Sequence, residues 1–449
     1  MPKLLKMLSI VKYLAAAVFL IVPLYSKFPF INVPGTFVSI RLEDFLILLA
    51  SLVIFGLLVK DKKVLKKSMV KSILLYLAVG LLSLLSAILI TKTVIPHIGL
   101  LHWLRRIEYF IPLFLGFFAI KSKRSNLAFF INLLIIVILA SFIYGFGQKH
   151  FSWPIIITQN LEYSKGVALR WIPGSHINSS FAGHYDLATF LVFTLPIIVN
   201  LMVASKKWGS RIILFITFFS GLWLMVNAAS RISILSYLVA VTLSLFLVKK
   251  YKEIVIIAII SLLFVGFSSN LLDRYFRIFD VLKNQIGQVV TVTGVNAQDF
   301  GLPPKRDLPT PTPTPPPVFE DRSTSIRLNV EWPRALRAFS KNPLLGIGYS
   351  SITLATDNDY LRLLGETGFL GFIAFFLIFV DLASKVLKKF PLDTYFKGLE
   401  RTFIAGFAGA IPGIMLNAVF IDIFEASKFA IMFWLITGMA VAILDKNNE

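Results

Sequence analysis

The sequence predicts an all-α integral membrane protein of about twelve transmembrane helices, with a large extracytoplasmic loop before the tenth. Three observations carry that prediction. Hydrophobic residues make up 57% of the 449-residue chain, whereas soluble domains stay near half. They gather in runs of roughly 17–25 residues, the length that takes a helix across hydrocarbon. Lysine and arginine, which bring the formal net charge to +21, concentrate in every second connection between those runs, as the positive-inside rule requires of cytoplasmic loops.

In order, the spans are 9–26, 37–59, 72–90, 103–120, 127–147, 184–204, 212–228, 232–248, 253–269, 361–385, 402–421 and 428–444. The first follows a basic start and has the look of a signal peptide. No small-x-small cleavage site follows Tyr25, so it reads as an uncleaved span. One set of loops carries Lys60, Lys62, Lys63, Lys66, Lys67 and Lys71, then Lys121, Lys123 and Arg124, then Lys206, Lys207 and Arg211. The same set continues with Lys249, Lys250 and Lys252, and with Lys385, Lys388, Lys389, Lys397 and Arg401. These loops define the cytoplasmic side, and an even number of spans returns both termini there, in agreement with Lys3 and Lys6. The chain therefore divides into 1–269, nine spans with an outer loop at 148–183; 270–360, the large outer loop; and 361–449, the last three spans. Residues 303–317 are proline-rich and predict an extended polyproline II spacer, a solvated insertion in that loop.

Topology accounts for the basic charge, and no zinc finger, RNP motif or basic helical arm points to nucleic acid. The chain has no cysteine, which excludes disulfides, thiolate metal sites and a cysteine nucleophile.

Four pieces of the expected outer face carry chemistry. The stretch from Arg170 to Asp186 enters span six and holds His176 and His184. His176 reads as an interfacial residue at headgroup level, whereas His184 is placed to accept or donate a proton. Ser230 and Arg231 join spans seven and eight in a turn too short to lift the arginine clear of the membrane, where it is costly without an anion or water. In 325–341, Pro333 suits a helix start, which sets Arg334, Arg337 and Lys341 on one face and leaves Ala335, Leu336 and Phe339 to pack on the bundle. Arg327 and Glu331 are spaced as an i, i+4 pair if that helix begins earlier. The last piece runs from Asn342 through Asp357, Asn358, Asp359 and Tyr360 to Glu366. Either aspartate suits a helix N-cap, and Glu366, two turns into a span, requires a partner such as arginine. Paired with Arg170 and Arg231, the arginines of the large loop make an anion cradle, since guanidinium binds phosphate through a planar fork.

Taken in order, these residues resemble the O-antigen ligase/polymerase family of bacterial envelope glycan enzymes. The resemblance runs from Arg170 to a Phe-Ala-Gly-His-Tyr stretch ending at Tyr185, then to Ser230 and Arg231, then to Arg327 and Trp332. It continues through Asn-Pro-Leu-Leu-Gly-Ile-Gly (342–348) and Asn-Asp-Tyr-Leu to Glu-Thr-Gly-Phe-Leu-Gly, ending at 371. Arg337 and Gly348 also fit the Arg-x10-Gly spacing described for polymerases. The resemblance implies a helical bundle related to the GT-C class, in the bacterial plasma membrane, and an inverting glycosyltransferase that needs neither metal nor cofactor. Its donor would be a glycan on undecaprenyl diphosphate, and its acceptor a hydroxyl of a glycan, lipid or protein. Asp357 and His184 are then the candidate catalytic groups, and Arg170, Arg231, Arg327 and Arg337 bind the donor diphosphate. Arg334, Asn358, Tyr360 and Glu366 support them. Asp357 stands where ligases of this family commonly place histidine, which tilts the reading toward a polymerase. A transporter of lipid-linked glycans is the competing reading, but no matching halves of the inverted-repeat kind are seen.

Overall fold

The computed structural model describes residues 2–26, 28–32, 39–155, 176–266, 326–353 and 355–445. Arg170 and the proline-rich tract at 303–317 lie outside the described residues. Helices α1 (Pro2–Leu24), α2 (Leu42–Lys60), α3 (Ser68–Leu89), α4 (Pro96–Ser122) and α5 (Asn126–His150) come first. After the entry segment 176–183 follow α6 (His184–Ala204), α7 (Trp208–Asn227), α8 (Arg231–Leu247) and α9 (Tyr251–Gly266). A π-helical turn, Arg327–Glu331, runs into α10 (Trp332–Lys341). The chain ends with α11 (Asp359–Leu387), the short α12 (Leu392–Tyr395), α13 (Gly398–Asn417) and α14 (Ser427–Asp445).

Each expected span overlaps a helix. Among the described residues, eight helices (α2, α3, α5, α6, α7, α11, α13 and α14) are long and apolar enough to cross a membrane. Apolar Ser9–Leu24 and Arg231–Leu247 are shorter. The all-α expectation meets one exception. Between α1 and α2, Pro29–Asn32 (β1) pairs antiparallel with Ser39–Arg41 (β2), aligning Ile31 with Ile40.

Small residues set the close contacts. Gly116 of α4 abuts the main chain at Leu435 of α14, and Gly438 of α14 abuts Leu113 of α4. Neither position has room for a methyl group, which is how small residues bring helices together where lipid supplies no hydrophobic drive. A buried polar chain ties three more helices: Ser230 and Ser233 of the α8 start, Asn417 of α13 and Thr189 of α6, through contacts of 2.7, 3.1 and 2.7 Å. Lys428, at the start of α14 and 0% exposed, donates to the carbonyls of Pro23, Tyr25 and Ser180 at 3.3, 2.7 and 2.6 Å. It thus pins the end of α1 and the 176–183 segment to α14.

The two ends of the bundle differ. At one, the lysine-rich connections are knitted by Lys67 and Lys385 to Asp445 (2.7 and 2.8 Å), Lys121 to Asp61 (2.7 Å) and Arg124 to Glu400 (3.0 Å). At the other lie the 176–183 segment, the turn before Arg231, the 326–358 segment and the turn between α13 and α14. They are joined by Ile177 N–H to Asn227 O (3.1 Å) and Asp359 N–H to Ala418 O (3.0 Å).

Helix α11 is broken, and the break explains the glycines before it. At Gly368 the backbone turns to φ +67°, ψ −170°, a region open almost only to glycine. The carbonyls of Gly365 and Glu366 therefore lose the amides four residues on. Instead, Gly365 O accepts Ile347 N–H (2.9 Å), and Glu366 O accepts Gly348 N–H (2.8 Å) and the Ser83 hydroxyl (2.8 Å). In exchange, the amides of Phe369 and Leu370 donate to Pro343 O and Leu344 O at 2.8 and 3.1 Å. The Asn-Pro-Leu-Leu-Gly-Ile-Gly segment is the piece of backbone that satisfies a helix interrupted inside the bundle. Irregular backbone at such depth persists only where protein supplies its hydrogen bonds.

Candidate functional site

The site forms where that segment, the π-helical turn and the α6 entry meet. Arg327 opens the π-helical turn, with its side chain 11% exposed. Its Nε and Nη2 both donate to Asp357 Oδ2, at 3.0 and 2.7 Å. Its guanidinium also lies 5.9 Å from the Tyr185 ring centroid. Tyr185 packs against His184, and His184 against His176, with tilted rings whose centroids are 4.0 Å apart in both contacts. One line of contact thus runs His176, His184, Tyr185, Arg327, Asp357, joining three pieces that are far apart in sequence. His176, read from sequence as an interfacial residue, is part of this line.

Asp357 adopts φ +48°, a left-handed conformation that aspartate tolerates at a cost. Asp422, in the turn between α13 and α14, holds it there. Its two carboxylate oxygens accept the amides on either side of Asp357, those of Thr356 (2.8 Å) and Asn358 (2.9 Å). Arg362 Nη1 anchors Asp422 at 3.1 Å, and Arg362 Nη2 reaches Ile352 O at 3.3 Å. Burial and Asp422 push the Asp357 carboxyl above its ordinary value, while Arg327 pulls it down.

Neither aspartate caps α11, contrary to the expectation. Asn358 does so, its Oδ1 accepting Leu361 N–H at 3.0 Å. Asp357 is turned to Arg327, and Asp359 Oδ2 accepts the amides of Ile423 and Phe424 at 2.7 and 3.2 Å, fixing the α13–α14 turn. Glu366 is paired with arginine as required, but with Arg362 (3.7 Å) and Arg106 of α4 (3.9 Å). Arg106 also bonds Glu425, whose carboxyl is held below its ordinary value chiefly by Arg106 and Arg362 against burial.

The remaining expected residues fall apart by role. Arg334 donates to Ala355 O at 2.5 Å and braces the strand of chain that carries Asp357. Tyr360 spends its hydroxyl on Met415 O at 2.6 Å, a structural anchor to α13. Arg337 is exposed on α10. The face of α10 that packs is Ala335 and Ala338, against Ile347 and Ile352. Leu336, on another face of α10, is 49% exposed. Arg327 and Glu331 share a turn, but Arg327 takes Asp357 as its partner. Arg231 is half-buried at the first turn of α8, beside the buried Ser230.

Of the arginines expected to cradle an anion, Arg327 holds the Asp357 carboxylate, and Arg362, not singled out from sequence, holds Asp422. Six carboxyl groups (Glu331, Asp357, Asp359, Glu366, Asp422, Glu425) face four guanidinium groups (Arg106, Arg327, Arg334, Arg362). Arg106, Arg362, Asp422 and Glu425 were missed at the level of sequence. A signal existed, since charged residues inside or beside apolar spans mark function by default.

No curated protein matches the chain. The family model described as O-Antigen ligase matches residues 215–376, a stretch that contains Arg231, Arg327, Asp357, Arg362 and Glu366. Over those residues, about a third of its length, the chain is similar to the O-antigen ligase family.

Proposed function

We propose that the protein is a membrane glycosyltransferase of about twelve spans and GT-C-like architecture, with both termini cytoplasmic. It moves or polymerises a glycan from an undecaprenyl-diphosphate donor onto an acceptor hydroxyl at the outer face of the plasma membrane. The observation that carries this reading is the Arg327–Asp357 pair set against Tyr185, at the end of the bundle away from the lysine-rich loops and inside the matched segment. In an inverting transfer the acceptor oxygen attacks the anomeric carbon opposite the diphosphate, and negative charge grows on the leaving group. Cations fixed in advance where that charge develops stabilise the transition state without reorganisation. Arg327 is fixed in this way by Asp357, and the sequence adds Arg231 and Arg170 as further diphosphate-binding groups. No metal is required when guanidinium groups neutralise the diphosphate.

The test is glycan transfer by the purified protein in liposomes with an undecaprenyl-diphosphate oligosaccharide and EDTA, comparing wild type with Arg231→Ala and Arg327→Lys. Longer glycan, lost in both variants, supports a polymerase, and glycan on a second lipid or protein supports a ligase. Intact donor with every acceptor tried refutes the reading, and donor passage between leaflets without new product favours a transporter.

A further inference from the structure

The sequence offers Asp357 or His184 for the acceptor's proton, and the structure gives each of them other contacts. Both Arg327 donors land on Asp357 Oδ2, so that carboxylate is engaged as an anchor. The His184 ring is in contact with His176 and Tyr185, each at a centroid distance of 4.0 Å. Glu331 closes the π-helical turn that Arg327 opens. Its Oε2 is buried and has no hydrogen-bond partner among the described residues, and the same holds for Trp332 Nε1, Arg334 Nε and Thr356 Oγ1. Leaving a buried polar atom unpaired costs about 1–3 kcal/mol. Four such atoms, on the two segments joined by the Arg327–Asp357 pair, mark a place that a polar ligand completes.

We propose that Glu331 is the general base of the transfer and that Trp332 Nε1 and the Thr356 hydroxyl help seat the acceptor sugar. The proposal rests on the glycosyl-transfer reading above. The acceptor oxygen bonds to the anomeric carbon while its proton passes to Glu331 Oε2. The bond from that carbon to the diphosphate oxygen breaks, and its electron pair leaves with the polyprenyl diphosphate. Glu331 faces Arg327 and Arg334 on its own segment, Asp357 on the 342–358 segment and Asp422 on the α13–α14 turn. Burial first, then Asp357 and Asp422, push its carboxyl up to about 8, against the two arginines. A base is most effective when it titrates near the working pH.

The experiment measures transfer by the full chain in liposomes from neutral to alkaline pH, with an undecaprenyl-diphosphate oligosaccharide as donor and acceptor. Wild-type kcat/KM should rise with pH through a limb near 8. Glu331→Gln should lower kcat about 10²–10⁴-fold and abolish the limb, with KM for the donor unchanged. Glu331→Asp should keep the limb at reduced rate. Glu331→Gln with wild-type kcat, or with the limb intact, overturns the proposal. If Glu331→Gln does not fold, Glu331→Asp decides, because a shortened carboxylate with wild-type rate and profile is incompatible with a base. Wild-type protein inert toward the donor instead refutes glycosyl transfer itself, and the base role falls with it.

Discussion

Asp422→Asn tests whether Asp357 is aimed by its surroundings. Asp422 accepts three donors: Thr356 N–H, Asn358 N–H and Arg362 Nη1, all within 3.1 Å. An asparagine offers one oxygen. Its amide nitrogen must then face at least one donor, so at least one charge-assisted bond becomes a donor–donor contact. Hydrogen bonds to charged groups are worth about 1.5–3 kcal/mol each. The left-handed Asp357 adds its own strain, about 1–3 kcal/mol for such conformations, which persists only when the surroundings enforce it. Loss of about 1.5–3 kcal/mol of positioning corresponds to about 10–100-fold in kcat. Donor KM should change less, since Arg231 is untouched by the substitution. The assay is glycan transfer in liposomes under saturating donor, with the unfolding midpoint of each protein in detergent as control. A variant that folds like wild type and keeps wild-type kcat would show that Asp357 needs no clamp.

Asp357→Asn keeps a residue that tolerates the left-handed backbone but removes the ion pair with Arg327. An anchoring role predicts a fall of about 10-fold in transfer rate, whereas a loss of about 10²–10⁴-fold would return the base to Asp357. Gly368→Ala introduces a methyl against the backbone of Leu344 and Gly346 at a φ of +67°. It should cost at least about 1–3 kcal/mol, read as a lower unfolding midpoint, and a midpoint equal to wild type would contradict the broken-helix account. Lys428→Met leaves the carbonyls of Tyr25 and Ser180 without their donor, at about 1–3 kcal/mol for each. The same measurement should show marked destabilisation, and a neutral result would mean that the lysine does not pin α1 to α14.

The helices were legible because the apolar runs are as long as a bilayer is thick, and the lysine alternation separated the two ends of the bundle before any contact was known. Arg327, Asp357 and Glu366 stood out as charges at the margin of such runs. What could not be read was who meets whom. Arg106 and its partner Glu425 are 319 positions apart, and Arg362 and Asp422 are 60 apart. Local spacing suggested Arg327 with Glu331, which share a turn, while the fold delivered Asp357 from 30 positions away. Leu336 illustrates the same limit. Its hydrophobicity predicted a packed position, but the face of α10 that packs on the 342–352 segment is Ala335 and Ala338, and Leu336 is exposed.

The Arg327–Asp357 pairing has a physical source in the break in α11. An unbroken helix would satisfy Gly365 and Glu366 internally and give Ile347 and Gly348 no acceptors there. The 342–348 segment would have no reason to enter the bundle. Its continuation carries Thr356, Asp357 and Asn358, so without that entry Asp422 would not meet their amides and Asp357 would not meet Arg327. The orientation of one guanidinium thus depends on a glycine conformation eleven residues beyond Asp357. That dependence separates two kinds of damage. A substitution at Gly368 should lower stability and activity together, because it removes the scaffold. One at Asp422 should lower kcat ahead of stability, because the four exchanged backbone bonds at the break remain in place.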